Sequence, residues 1–311
     1  MESKFREDSL QYYDTEELFD HINSSILLSP KTHQLSSRYL ARQYPSISRL
    51  NDAVLAIETA RKLRIPVPVV RRICEHKGLA YTIIERISGV RLCDIWAKLN
   101  WPTTIDLALQ LRTYIGRLRT VTSPVAGSMK TGECSSFWLT DHYGLPDEAT
   151  SGDINAFLKF WLNFTSVRKA ILDAENRINP EPEGHLPSTE SPFFLTNHNL
   201  SPSSLLVTPT GKLYLLNWDM AGFYPSCFEA TSMRYLLNPH HRTPGRSKRG
   251  APRPWSFCAR WRWIVFTMIA AGNFEGDYRI LKHIKLKTDH FPHSRRAHLL
   301  VLDGPTKHPV Y

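Results

Sequence analysis

The most regular apolar spacing in the chain falls between residues 101 and 171. Ile105, Ala108, Leu111, Ile115 and Leu118 step by three and four, and so do Phe157, Trp161, Phe164, Val167 and Ile171. Both series predict amphipathic helices with one buried stripe. Ahead of them the pattern is shorter. Residues 35–44, LSSRYLARQY, alternate enough for a short strand, and residues 80–85, AYTIIE, read as a strand from their β-branched content. Between the two, Asn51 is placed to cap a helix over DAVLAIETARKL that buries Val54, Ile57 and Ala60, with IPVP (65–68) as its stop. Residues 204–217 give a hairpin signal: apolar SLLV, turn residues TPTGK, apolar LYLLN. A turn centred between Thr210 and Gly211 sets Ser204 opposite Asn217, with Asn199 upstream on the entering loop. The expected organisation is α+β. Residues 1–84 form a small strand-containing half, 85–90 a connection, and 91–236 a larger helical half that holds the hairpin.

Composition supports a folded chain: 311 residues with 42% hydrophobic and 22% charged positions can bury a sizeable core. The net charge of +10 is unevenly spread. Residues 237–311 hold 14 Lys and Arg against 4 Asp and Glu, whereas 1–236 hold 25 of each. Residues 237–311 therefore read as a basic C-terminal extension, and the abrupt change in charge also fits a misplaced splice junction. Within it, 240–263 (HHRTPGRSKRGAPRPWSFCARWRW) interleave basic and aromatic residues, a pattern open to single-stranded nucleic acid or an anionic membrane surface. A solvated loop leading into a partly buried helix explains the same letters. The opening residues lack an apolar leader, and the longest apolar run, 264–271, is too short to span a bilayer, so a cytoplasmic chain without a transmembrane segment is expected. Cys74, Cys93, Cys134, Cys227 and Cys258 are odd in number and form no CxxC pair, which predicts free thiols.

The stretch 194–225, FLTNHNLSPSSLLVTPTGKLYLLNWDMAGFYP, resembles the aminoglycoside phosphotransferase and choline-kinase-like family, in particular its fungal members. That family's pattern runs H-G-D-L-x-P-x-N-I-L-V, then a hairpin, then I-D-W-E-x-A-G-F-Y-P. The framework is present here as Leu200, Pro202, Leu206, Val207, Trp218, Ala221, Gly222, Phe223, Tyr224 and Pro225. IPVP and YTIIERISGVRL (81–92) extend the likeness to roughly residues 35–235. The resemblance implies a two-lobed protein-kinase-like fold, with a small strand-containing N-terminal lobe, a larger helical lobe and a nucleotide cleft between them. It also implies ATP and Mg²⁺ as cofactors. The first glycine of the chain is Gly78, so no glycine-rich loop covers the phosphates, and the small lobe is expected to be truncated.

The positions that carry the family's chemistry have changed. Aligned through Leu-Ser-Pro, the motif His falls on Asn197, the catalytic base Asp on Asn199, and the two metal-binding positions on Ser204 and Asn217. The phosphate-contacting Lys falls on Arg42 and its partner Glu on Asp52, while Glu85 stands at the connection beside the cleft. Asp219 is the nearest acid; it could recruit a metal, but is expected to pair with backbone or an arginine. Neutral oxygens lack the charge that Mg²⁺ sites depend on. At an effective dielectric of about 20, a unit anion 4 Å from a dication contributes on the order of 8 kcal/mol before desolvation. Asn199 cannot accept a proton from an attacking hydroxyl, a loss of about 10²- to 10⁴-fold. The sequence thus predicts an inactive pseudo-phosphotransferase, without a cofactor, that acts by binding a small molecule or a protein. An active ATP-dependent kinase of a small hydroxyl or amine is the alternative, and a basic-tail adaptor for nucleic acid or membrane the second.

Overall fold

A computed structural model of the chain describes residues 5–166, 186–237 and 255–301. The small lobe is built on a five-stranded antiparallel sheet, β1 (Ile26–Ser29), β2 (Thr32–Gln34), β3 (Tyr39–Tyr44), β4 (Val70–His76) and β5 (Leu79–Glu85), in the order β1-β2-β3-β5-β4. A first hairpin, β1–β2, forms without glycine. Its turn is made by Pro30 and Lys31 instead, and the sequence pattern did not anticipate β1 and β2. Period-two alternation puts Tyr39 and Ala41 on one face, against Leu18 and Ile22 of helix α1 (Thr15–Ser24), and Tyr44 on the other, against Leu50 and Ala53 of helix α2 (Ile47–Lys62). The start of α2 corrects the expected cap at Asn51. Ser46, after Pro45, accepts from the backbone N–H of Arg49 at 3.3 Å and starts the helix earlier, so Leu50 joins the buried stripe.

After β5 the chain passes through residues 86–89 into β6 (Val90–Arg91), α3 (Leu92–Ile95) and α4 (Trp101–Leu118), which Asn100 caps. On α4, Ala108, Leu111, Ile115 and Leu118 are buried as the spacing predicts, but Ile105 is exposed. The buried stripe is centred on Leu107, Leu111 and Tyr114 and leaves Ile105 at its edge. Helix α5 (Ser151–Asn163) buries Phe157 and Trp161 and ends before Phe164 becomes helical; Val167 and Ile171 lie outside the described residues. Strands β7 (Thr122–Ser123), β8 (Phe193–Thr196), β9 (Leu205–Val207), β10 (Leu213–Leu215) and β11 (Gly222–Tyr224) form two small sheets, β10-β9-β6 and β11-β8-β7.

The hairpin β9–β10 pairs Leu205 with Leu215 and Val207 with Leu213, one residue away from the expected register. The loop has three residues, Pro209, Thr210 and Gly211, with Gly211 at φ +78°, so the turn is centred on Thr210. Ser204 consequently faces Leu216, whose N–H donates to the Ser204 carbonyl at 2.9 Å, and Asn217 lies one step beyond.

The residues read as a C-terminal extension are largely part of the lobe. Helix α6 (Cys227–Tyr235) is followed, after residues outside the described set, by α7 (Phe257–Ala271), α8 (Glu275–His290) and α9 (Arg296–Val301). Trp263 and Phe266 of α7 are fully buried in the same core as Leu111, Leu195 and Trp218, while Leu281 and Ile284 of α8 pack with Phe157 and Phe228. Apolar burial of this extent binds 255–301 to the lobe whatever its charge. Residues 240–254 of the basic stretch lie outside the described set. Among the described residues no helix is long and apolar enough to cross a membrane.

Candidate functional site

Three segments from the two lobes converge at the open end of the β9–β10 hairpin. Strand β3 brings Arg42, the loop after β8 brings Asn197, His198 and Asn199, and the segment after β10 brings Asn217 and Asp219. The Arg42 guanidinium closes a two-pronged ion pair with Asp219, Nε to Oδ1 at 3.1 Å and Nη2 to Oδ2 at 2.7 Å. Its Nη1 donates to Asn217 Oδ1 at 2.6 Å. Burial works against the charge of Arg42, but Asp219 alongside more than offsets it and its pKa is raised. Lys31, in the β1–β2 turn, adds a looser contact to Asp219 at 3.7 Å. Tyr44 stands beside the pair, and burial pushes its phenol up to about 12.

Behind this pair the amides are bonded to one another. Asn217 Nδ2 donates to Ser204 Oγ at 2.7 Å, and Ser204 Oγ in turn donates toward Asn199 Oδ1 at 3.4 Å. Asn197 Nδ2 donates to the Asn217 carbonyl at 2.7 Å, and its Oδ1 accepts the N–H of Asn199 at 3.1 Å. The four positions singled out as Asn197, Asn199, Ser204 and Asn217 therefore form one connected network, joined by Arg42. Asp52 and Glu85 do not belong to it. Asp52 does not pair with Arg42; its buried carboxylate accepts from the backbone N–H groups of Lys130 and Thr131, at 2.8 and 3.1 Å, and so ties α2 to the large lobe. Glu85 lines the cleft, with its carboxylate engaged by Arg71.

His198 points away from the cleft. Its φ of +61° lies in the left-handed region, uncommon for a residue with a side chain. The surroundings are specific: the imidazole lies between Phe137 and Tyr224, with ring centroids 4.8 and 4.9 Å away. Its Nε2 meets Ser136 Oγ at 2.7 Å and its Nδ1 meets Ser232 Oγ at 3.1 Å. Complete burial pushes its pKa down to about 3, so the ring is neutral. Glu229, from α6, holds the same loop by accepting the N–H groups of Asn197 and His198 at 2.7 and 3.0 Å. Burial pushes this carboxyl up to about 7, against the lowering effect of those two bonds. Neither residue carries a signal in the sequence pattern: Glu229 is a lone acid in an otherwise ordinary helix, and His198 stands beside the motif position that falls on Asn197.

The Arg42–Asp219 pair divides the interlobe cleft. On one side lies a cavity of about 630 Å³ between Leu28, Leu40 and Ile84 of the small lobe and Leu206 and Leu216 of the hairpin, with Lys31 and Arg42 also in its lining. On the other lies a cavity of about 790 Å³ lined by Tyr44, Arg49, Glu133 and Asp219. A larger cavity of about 1090 Å³, around Asn155, Leu162 and Asn273, contributes none of these groups.

The donor set does not fit a divalent cation. Asn217 Oδ1 is turned to a guanidinium, Ser204 Oγ and Asn199 Oδ1 are neutral and bonded to each other, and the single carboxylate, Asp219, is neutralised by Arg42. A dication about 4 Å from that guanidinium meets repulsion on the order of 8 kcal/mol at an effective dielectric of about 20. Among the described residues no group of three or more His, Cys, Asp or Glu is placed to hold a metal ion.

No family model matches the chain, and no curated protein matches its sequence. Aminoglycoside phosphotransferases are among the solved structures that match. The chain is similar to aminoglycoside 2'-phosphotransferase-IIIa in its GDP complex, at 11% identity over 89% of this chain and 99% of that one, TM-score 0.43. It is similar to APH(3'')-Id from Streptomyces rimosus in complex with ADP and streptomycin, at 11% identity over 91% and 99%, TM-score 0.46. It is also similar to the type VIII aminoglycoside-3'-phosphotransferase, at 13% identity over 86% and 93%, TM-score 0.44. At these TM-scores the likeness decides nothing about chemistry, which rests on the chain's own residues.

Proposed function

We propose that this chain is a phosphotransferase-fold protein that does not transfer phosphate and acts by binding in its interlobe cleft, without ATP–Mg²⁺ as a cofactor. The observation that carries this reading is the bond from Arg42 Nη1 to Asn217 Oδ1, which sets a fixed cation where the sequence resemblance places a metal ligand. In metal-assisted phosphoryl transfer the protein contributes positioning and charge, through carboxylates that hold Mg²⁺ against the phosphates and a base on the nucleophile. Here Asn199 offers the base position an amide, and Ser204 and Asn217 offer neutral oxygens already bonded to neighbours. His198 is locked, neutral, in the aromatic core and reaches no reacting atom.

The test is restoration. The variant carrying Asn199→Asp, Ser204→Asn and Asn217→Asp, with and without Arg42→Lys, is assayed for ATP affinity in the presence and absence of Mg²⁺, beside the native chain. The reading expects Mg²⁺-dependent nucleotide binding to appear only in the restored forms, most strongly with Arg42→Lys. Mg²⁺-dependent ATP binding, or transfer of labelled phosphate, by the native chain refutes it.

A further inference from the structure

The outer face of the large lobe carries two apolar stripes that its core does not use. On α4, Trp101, Ile105 and Leu109 follow one another at i, i+4 and i+8 and are 50%, 42% and 48% exposed. On α7, Phe257, Trp261 and Met268 are 75%, 52% and 40% exposed. Such spacing places each set along one side of its helix.

The two stripes are neighbours. At one end Arg262 of α7 donates to the carbonyls of Trp96 and Leu99, just ahead of α4; at the other Arg119, beyond the end of α4, donates to the Ala271 carbonyl at 3.2 Å. The helices thus run side by side in the same direction. Trp101 precedes Arg119 by about five full turns, so it shares the edge of α4 that reaches α7. Trp261, about 100° around α7 from Arg262, lies on the outward side of that helix. At about 150–250 Å² for a whole aromatic side chain, Trp101, Phe257 and Trp261 alone leave on the order of 350 Å² in water. With Ile105, Leu109 and Met268 added, the patch matches or exceeds the largest on an ordinary monomer, roughly 300–600 Å².

We infer that this face docks on an anionic lipid surface. The mixture of side chains favours lipid over the other occupants. Tryptophan with aliphatic Ile105, Leu109 and Met268 suits the boundary between headgroups and acyl chains, whereas a nucleic acid strand stacks on aromatics and has no use for the aliphatics. The surrounding charge is complementary to acidic lipid: Lys98, Arg112 and Arg260 are exposed around the patch, and α7 contains no acidic residue. Asp106, on the outer side of α4, is engaged by Gln110 Nε2 at 2.9 Å. A second copy set against this face would bring like charges together.

The experiment is co-sedimentation of the full chain with phosphatidylcholine vesicles, with and without phosphatidylserine, at low and high salt. It is run beside the double variant Trp101→Ser, Trp261→Ser, whose fold is checked by its melting curve. Lipids brominated along the acyl chain report whether tryptophan enters the bilayer. Docking predicts binding to the acidic vesicles at least about tenfold tighter than to the neutral ones, weakened by salt, with quenching of tryptophan fluorescence, and about tenfold weaker binding by the folded double variant. Should the double variant fail to fold, Trp101→Phe and Trp261→Phe test the same contact through lost quenching with binding retained. Four results overturn the inference: no preference for acidic vesicles, equal binding by a folded double variant, a solution dimer that shields both tryptophans, or tighter binding of single-stranded RNA at this face. None of these bears on whether the cleft transfers phosphate.

Discussion

The ion pair between Arg42 and Asp219 gives the most quantitative prediction. Its side chains are 15% and 20% exposed, so neither the near-zero value of a surface pair nor the full penalty of a buried one applies. Removing Asp219 leaves Arg42 with Asn217 and costs two charge-assisted bonds, at 3.1 and 2.7 Å. Asp219→Ala and Arg42→Ala are each expected to destabilise the chain by about 3 kcal/mol, between those limits. In a double-mutant cycle followed by urea unfolding the coupling is expected at about 2 kcal/mol, a factor of about 30 in the folding equilibrium. The single variants then melt about 6 °C lower, given about 2 °C per kcal/mol for a chain of this size. Arg42→Lys recovers less than half of the loss, because an ammonium cannot make the two-pronged contact. A coupling below about 0.5 kcal/mol would mean that the guanidinium is not fixed by Asp219, and the account of an occupied cation position would fail with it.

Three further outcomes follow from the same geometry. His198, pushed down to about 3 from an ordinary value near 6.5, adds stability that is present above pH 6.5 and is lost by about 1.4 kcal/mol per unit as pH falls toward 3. Glu229, raised from 4.5 to about 7, acts in the opposite sense: its contribution is complete below pH 4.5 and is lost as pH rises through 7. The two slopes offset each other between pH 4.5 and 6.5, so the native chain is expected to be nearly flat there in urea titrations. Glu229→Gln is expected to lose stability on acidification over this range, and His198→Gln to gain it. Gly89→Ala is expected to cost about 1–3 kcal/mol, because a Cβ there would stand 2.6 Å from the Val207 carbonyl and push the connection off the hairpin; thermal melts check it against Gly276→Ala, where a Cβ meets nothing within 4 Å and φ is not positive.

Elements with a strong local period were legible in the sequence. The helix around Leu111, the strand 80–85 and the hairpin all form, because spacing and turn residues act over a few positions. What failed depends on distance or on a single residue. Nothing between 200 and 217 distinguishes a two-residue turn from the three-residue loop that Gly211 permits, and that difference moved the register by one. Charge counting misjudged residues 255–301, since Trp263 and Phe266 decide where that chain packs and its arginines do not. At the site, spacing drew attention to Asn197, Asn199, Ser204 and Asn217, which the fold brings into one network. The Arg42–Asp219 contact spans 177 residues and has no local signature. Asp52, matched to Arg42 by alignment alone, bonds elsewhere, on the backbone at Lys130 and Thr131.

The most direct measurement is a titration of Mn²⁺, as a paramagnetic substitute for Mg²⁺, into the native chain, with the free ion followed by electron paramagnetic resonance. With a guanidinium in the cation's place, the free-ion signal is expected to track added Mn²⁺ up to about 1 mM, an affinity no better than about −4 kcal/mol, with Arg42→Ala combined with Asn217→Asp gaining a site. Stoichiometric loss of the free signal in the native chain at micromolar Mn²⁺, abolished by Asn217→Ala, would contradict the account.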